Sequence, residues 1–122
     1  MADKRVRIRN IFPFKDYFKE FKKELSRDVL MKIYEVFMLI MTEKVVPVKF
    51  LRKIEGRDNL YEIRVEYAGN IYRIFCCMDE GNLIILFNGF QKKTQKTPQN
   101  QIERAERIKK EYFEQKAGTN KN

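Results

Sequence analysis

Along the chain, a short alternating start gives way to helical spacing, then to an irregular stretch, then to three apolar runs and a last helical pattern. Val6 and Ile8 interleave with Arg5, Arg7 and Arg9, so residues 5–12 predict a half-buried first strand. Pro13 suits the first turn of a helix. Phe14, Tyr17, Phe18, Phe21 and Leu25 follow at helical spacing, with Lys15, Lys19, Lys22 and Lys23 on the other side. Ser26 predicts a cap or a bend, and Val29, Ile33, Val36, Phe37 and Ile40 carry the apolar stripe on to Glu43. The two segments form a helical hairpin or one kinked helix.

Pro47 ends that pattern, and residues 45–57 show no regular period before Gly56, Asp58 and Asn59 punctuate the chain. Three strands are predicted next, Leu60 to Tyr67, Ile71 to Met78 and Leu83 to Phe90, separated by Ala68-Gly69-Asn70 and Asp79-Glu80-Gly81-Asn82. The third is apolar on both faces and belongs inside the sheet. Thr97-Pro98 opens a last helix that turns Ile102, Ala105, Ile108, Tyr112 and Phe113 to the core. The order βααβββα defines an α+β fold: a helical hairpin and a C-terminal helix packed on a small antiparallel sheet. Residues 1–116 are expected to make one domain and 117–122 a flexible tail.

Composition narrows the function. The 122 residues hold 26 Lys plus Arg against 17 Asp plus Glu, a formal net charge of +9, which makes nucleic acid the leading partner class and an acidic protein the alternative. With no histidine in the chain, the commonest metal ligand and general base are both missing, and no cofactor is expected. Cys76 and Cys77 are adjacent, so on a strand they point to opposite faces and do not bond to each other. The charged start MADKRVRIRN lacks a signal peptide's apolar run, and Val29 to Met41 is too short and too interrupted to span a bilayer. A cytoplasmic protein without membrane contact is expected.

Two groups of cations stand out. A turn centred on Ala68-Gly69 sets Arg64 directly across from Arg73, on the face opposite Ile63, Val65, Tyr72 and Ile74. Like charges so placed repel. Either Glu62 and Glu66 compensate them in a surface ladder, or a bound phosphate does. The second group follows the third strand: from Gly81 to Ile102 there is no Asp or Glu, yet Lys92, Lys93 and Lys96 all lie there. The meander returns these lysines toward the arginines, beside the N-H groups that open the last helix. Taken together they describe a phosphate cradle. On the helix from Val29 to Met41, Met31, Met38, Leu39 and Met41 lie beyond the core stripe. That helix is either sandwiched in the core or offers a surface to a protein partner or a second copy.

These same residues carry a resemblance. Leu60-Tyr61-Glu62-Ile63-Arg64, Tyr72-Arg73-Ile74, Gly89-Phe90-Gln91-Lys92-Lys93-Thr94-Gln95-Lys96-Thr97-Pro98 and the helix start Gln101-Ile102-Glu103-Arg104-Ala105 occur in the order of the motifs "LyElR", "yRi", "lhgF.KKt.ktP" and "eie.A". The chain therefore resembles the RelE/HigB-like toxins of type II toxin-antitoxin systems, in particular the phage-derived HigB-like branch, over residues 50–116. The resemblance implies a metal-independent endoribonuclease that enters the ribosomal A site and cuts mRNA using the RNA's own 2′-OH. It further implies neutralisation by a cognate antitoxin, a helix-turn-helix protein. By position, Arg73 stabilises the transition state, Arg64 places the scissile phosphate, and Lys93 or Lys96 is the acid or base. Lys53, Lys92, Lys93, Lys96 and Thr97 bind the RNA. Some members have histidine where Asn88 stands, and no tyrosine lies between Tyr72 and Tyr112. The alternative on the same scaffold is a ParE-like gyrase inhibitor, or a protein that binds RNA or antitoxin without cutting.

Overall fold

A sheet whose inner strands are apolar on both faces must be covered on both, and the chain divides its helices accordingly. The computed structural model describes residues 6–92 and 97–119. Its elements are β1 (Asn10–Pro13), α1 (Tyr17–Lys22), α2 (Arg27–Thr42), β2 (Leu51–Lys53), β3 (Tyr61–Tyr67), β4 (Asn70–Asp79), β5 (Leu83–Lys92) and α3 (Gln99–Thr119). The strands lie in the order β1-β5-β4-β3-β2. β1 runs parallel to β5 and the other pairings are antiparallel. On one face α1 and α2 bury Phe18, Phe21, Ile33, Phe37 and Ile40 against Ile63, Val65, Ile74 and Leu86. On the other, α3 lays Ala105 and Ile108 over Leu60, Phe75, Ile85 and Phe87. Cys76 and Cys77 are fully buried free thiols, one in each core. Burial pushes the Cys76 thiol well up and, with Asp79 adding to the effect, Cys77 up to about 12.

Three expectations are corrected. The first strand is Asn10–Pro13, and residues 6–9 of the expected strand are not part of it; Arg5 lies outside the described residues. Ile8 and Arg9 instead cap α2: their N-H groups donate to Met41 O at 2.8 and 3.2 Å, and the Arg9 guanidinium donates to the carbonyls of Ile40, Glu43 and Lys44 at 3.0, 2.7 and 2.9 Å. A cation at this end also complements the helix dipole. Second, Pro13 lies in β1 rather than in a helix, and Lys15, at φ 51°, breaks the chain before α1. The reason is that Phe14 belongs to the opposite core, where it meets Tyr112 edge to face at 5.3 Å. Third, residues 51–53 form β2, an additional edge strand paired with Tyr61 to Ile63. Three residues are too few to show a period, so only the partner strand reveals them. α3 also continues through Thr119, past the expected end at Lys116.

The turns follow the expected chemistry. Ala68 and Gly69 both have positive φ, 51° and 81°, as a two-residue turn between twisted strands demands, and Tyr67 pairs with Asn70. Ser26 caps α2, its Oγ accepting from Val29 N at 3.3 Å. Opposite Phe75, β5 inserts an extra residue at Phe87 and Asn88, a bulge between the rungs Ile74↔Gly89 and Cys76↔Leu86. The next residue, Gly89, lies flat beneath α1. A Cβ there would stand 2.4 Å from Phe21 Cδ2 and 2.8 Å from its Cγ, so the ring as a whole would have to move. At the far end of the sheet Asp79 fastens α3: it accepts from the Tyr112 hydroxyl and, at 2.8 Å, from Lys116 Nζ.

Two outcomes are expected. Gly89→Ala overpacks the α1 face and lowers stability by roughly 1–3 kcal/mol in urea unfolding; Phe21→Leu in the same chain restores part of the loss. Burial pushes the Asp79 carboxyl up, but hydrogen bonds from Lys116, Tyr112 and the Glu80 N-H outweigh it and hold the group below its usual value. A depressed carboxylate contributes stability above its unfolded value, about 3.9, and that contribution disappears as pH falls through the lower folded value. Asp79→Asn therefore flattens the acid limb of a stability-versus-pH curve and leaves its neutral-to-alkaline part parallel to that of the unaltered protein.

Candidate nucleic-acid interface

The site is built on the α3 face of the β2-β3-β4 edge. Directly paired residues of antiparallel strands share a face. The rungs Arg52↔Glu62, Glu62↔Phe75 and Arg64↔Arg73 therefore place Arg52, Glu62, Arg64 and Arg73 together, with Phe90 opposite Arg73 on the β5 side. Phe90 stacks on Phe75 at 5.6 Å and walls off the apolar core. Arg52 was not singled out in the sequence, because it becomes visible only when β2 pairs with β3.

Glu62 is the centre of the cluster. It is completely buried, and its Oε1 accepts from Arg73 Nη1 and, at 2.8 Å, from Arg52 Nε. Arg64 pairs separately with Glu66. The compensating carboxylates considered from the sequence are thus present, although the Glu62 pair is buried and not a surface ladder. They do not balance the cluster: three guanidinium groups face two carboxylates. Arg73 is 3 % exposed and retains a buried, unbonded Nε, while Glu62 retains an unbonded Oε2. Burial, and secondarily Arg52 and Arg64, hold the Arg73 guanidinium below its usual value despite the pull of Glu62. Exposure grades outward, with the Arg64 side chain at 27 % and that of Arg52 at 51 %. Arg52 and Arg64 are therefore the groups an anion meets first.

The other expected site residues divide. Lys92 closes β5, its backbone in register with Ile71, two rungs from Arg73. Thr97 is partly buried just before α3. Lys93 and Lys96 lie outside the described residues. Lys53 is not brought to the cluster: it pairs with Tyr61, one residue beyond Arg52, and so projects to the other face of the sheet. Asn88, at the bulge, is 1 % exposed; its Nδ2 donates to Gln101 Oε1 at 3.4 Å and its Oδ1 has no partner.

The family model that matches this chain sets it among the RelE/HigB-type toxins of toxin-antitoxin systems. Within that class, the chain belongs to the phage-derived Gp49-like protein family (DUF891), whose model matches residues 16–110. Among solved structures, it is similar to a chain of the crystal structure of the archaeal RelE-RelB complex from Pyrococcus horikoshii OT3. That similarity has 19% identity and a TM-score of 0.49, covering 67% of this chain and 92% of that one. No curated protein matches the chain. Among the described residues no helix is long and apolar enough to cross a membrane.

Removing one partner of a buried ion pair strands the other. Glu62→Gln is accordingly expected to cost roughly 3–5 kcal/mol in chemical unfolding, most of it recovered in the double variant Glu62→Gln with Arg73→Met. A single variant as stable as the parent would show that Arg73 finds another partner.

Proposed function

We propose that the protein is a metal-independent endoribonuclease that cuts mRNA in the ribosomal A site and is held inactive by a cognate antitoxin, a helix-turn-helix protein. The observation that carries this reading is the arginine-rich cluster around Glu62, an excess of guanidinium groups on a half-open sheet face where a phosphodiester would restore the balance. Arg64 and Arg52 engage the backbone of the RNA. The ribose 2′-OH adjacent to the scissile bond attacks phosphorus, the P–O5′ bond breaks, and the products are a 2′,3′-cyclic phosphate and a 5′-OH. Arg73, behind the pair, stabilises the added negative charge of the pentacoordinate transition state in a low-dielectric setting, where one donor is worth a large factor. Lys92, Lys93, Lys96 and Thr97 bind the RNA backbone, and Lys93 or Lys96 transfers the proton. Lys53, on the opposite face, takes no part in this arrangement.

One observation favours a second reading. Arg73 is tied to Glu62 and almost entirely buried, as suits a protein that binds RNA or an antitoxin without cutting. A ParE-like inhibitor of gyrase belongs to the same alternative.

Purified protein added to translating ribosomes is expected to produce mRNA ends in the A-site codon, mapped by primer extension. Arg64→Ala lowers the cleavage rate by about 10²-fold or more, the scale of losing one aimed cationic donor. Arg73→Lys, which keeps a charge on Glu62 but loses the guanidinium fork, lowers it similarly while far-UV circular dichroism is unchanged. Full-rate cutting by both folded variants refutes these roles. No cutting, with inhibition of gyrase supercoiling instead, establishes the alternative.

A further inference from the structure

β1 pairs with β5 only as far as Leu86, and the bulge at Phe87 and Asn88 follows at once. Beyond it, α1 and the start of α3 flank the edge of β5 and border a pocket of about 190 Å³. Asn88 lines this pocket, with Tyr17, Glu20 and Glu24 from α1 and its exit on one side and Arg104 of α3 on the other. Asn88 is 1% exposed; its Nδ2 is given to Gln101, and its Oδ1 has no partner among the described residues. A buried acceptor left open costs stability unless a ligand or water meets it. Lys23 holds Glu20 at 3.1 Å. Tyr17 donates its hydroxyl to Glu111 Oε1 at 2.8 Å, which fixes its ring, and the Arg104 guanidinium stands 6.0 Å from the ring centre.

We propose that this pocket takes a guanine base of RNA bound at the arginine cluster, an inference that rests on the reading of that cluster as an RNA site. Guanine alone among the four bases sets two adjacent N-H donors, N1 and N2, on one edge and two acceptors, O6 and N7, on the next. Glu24 and Asn88 Oδ1 accept from N1 and N2, Arg104 donates to O6 and N7, and the Tyr17 ring presents a face for stacking. Uracil would turn carbonyls to the carboxylates, and adenine has no N1-H. A phosphate is the wrong occupant, because two carboxylates stand here against one guanidinium. An arginine side chain from a protein partner would meet Arg104. Asn88 lies on the strand next to Arg73 and two residues before Phe90, the residue paired with Arg73, roughly 8 Å away across the sheet. That is within reach of a nucleotide neighbouring the one the arginines hold.

The test uses fluorescent 2′-O-methyl hexanucleotides, which have no attacking 2′-OH and so need neither cutting nor ribosomes. One is all uridine, and the others carry guanosine, inosine or adenosine at one position. Expected in anisotropy titrations of the full chain at low salt is guanosine binding about tenfold or more tighter than uridine, the scale of one bidentate base contact. Inosine, which lacks the N2 amine, and adenosine lose most of that gain. Arg104→Ala and Glu24→Gln, both at exposed positions, narrow the guanosine-to-uridine ratio to about twofold or less. Arg64→Ala weakens both oligonucleotides and keeps the ratio. In spectra of the ¹⁵N-labelled protein, the Asn88 side-chain amide moves with the guanosine oligonucleotide and not with the uridine one. Equal binding of guanosine and uridine, or an Asn88 signal that moves with N-acetylarginine amide instead, overturns the pocket and leaves the RNA reading standing. No binding of any oligonucleotide at low salt overturns both.

Discussion

The fold depends on one constraint: β4 and β5 carry apolar side chains on both faces, and neither face can be left to water. A two-layer arrangement would satisfy only one of them. Hence the chain crosses from one side to the other, setting α1 and α2 on the first face and α3 on the second. Phe14 shows the consequence locally. It continues the apolar spacing of the residues after it, yet it packs with Tyr112 under α3, and the left-handed Lys15 turns the chain before α1 begins. Gly89 shows it as well, since α1 approaches β5 so closely that only a residue without a side chain fits beneath Phe21.

Within that frame, Glu62 determines the electrostatics of the arginine face. A buried carboxylate is costly unless it is bonded, and here two arginines from two neighbouring strands share one of its oxygens. The arrangement keeps like charges close together on the sheet without leaving them balanced. The partly satisfied pair, with Glu62 Oε2 and Arg73 Nε unbonded, leaves Arg73 a donor without an acceptor among the described residues. Arg73 lies behind more accessible guanidinium groups and does not project freely into solvent.

The two faces of the sheet thus differ in chemistry. One carries the cationic cluster around Glu62, the other an apolar groove beside Arg7 and Lys22. The two surfaces lie on opposite faces of the sheet and toward opposite edges.

Much of this was legible in the chain. The stripe from Val29 to Ile40, the Ala68-Gly69 turn and the stripe of the last helix are local patterns with a single satisfactory burial, and the two-residue turn alone set Arg64 against Arg73. The motifs that carried the resemblance lie within the same hairpin and strand, and the family match confirms the class they implied. What the tertiary structure decided is non-local. Residues 8 and 9 alternate like a strand, but α2 ends beside them with unsatisfied carbonyls, and Arg9 serves those instead. Residues 51–53 become a strand only because the edge of β3 is open to them. That pairing brought Arg52 to Glu62, turned Lys53 away, and buried the carboxylate on which the arginines meet. Periodicity records which side of an element is apolar; which charges then share a face depends on register between strands far apart in the chain.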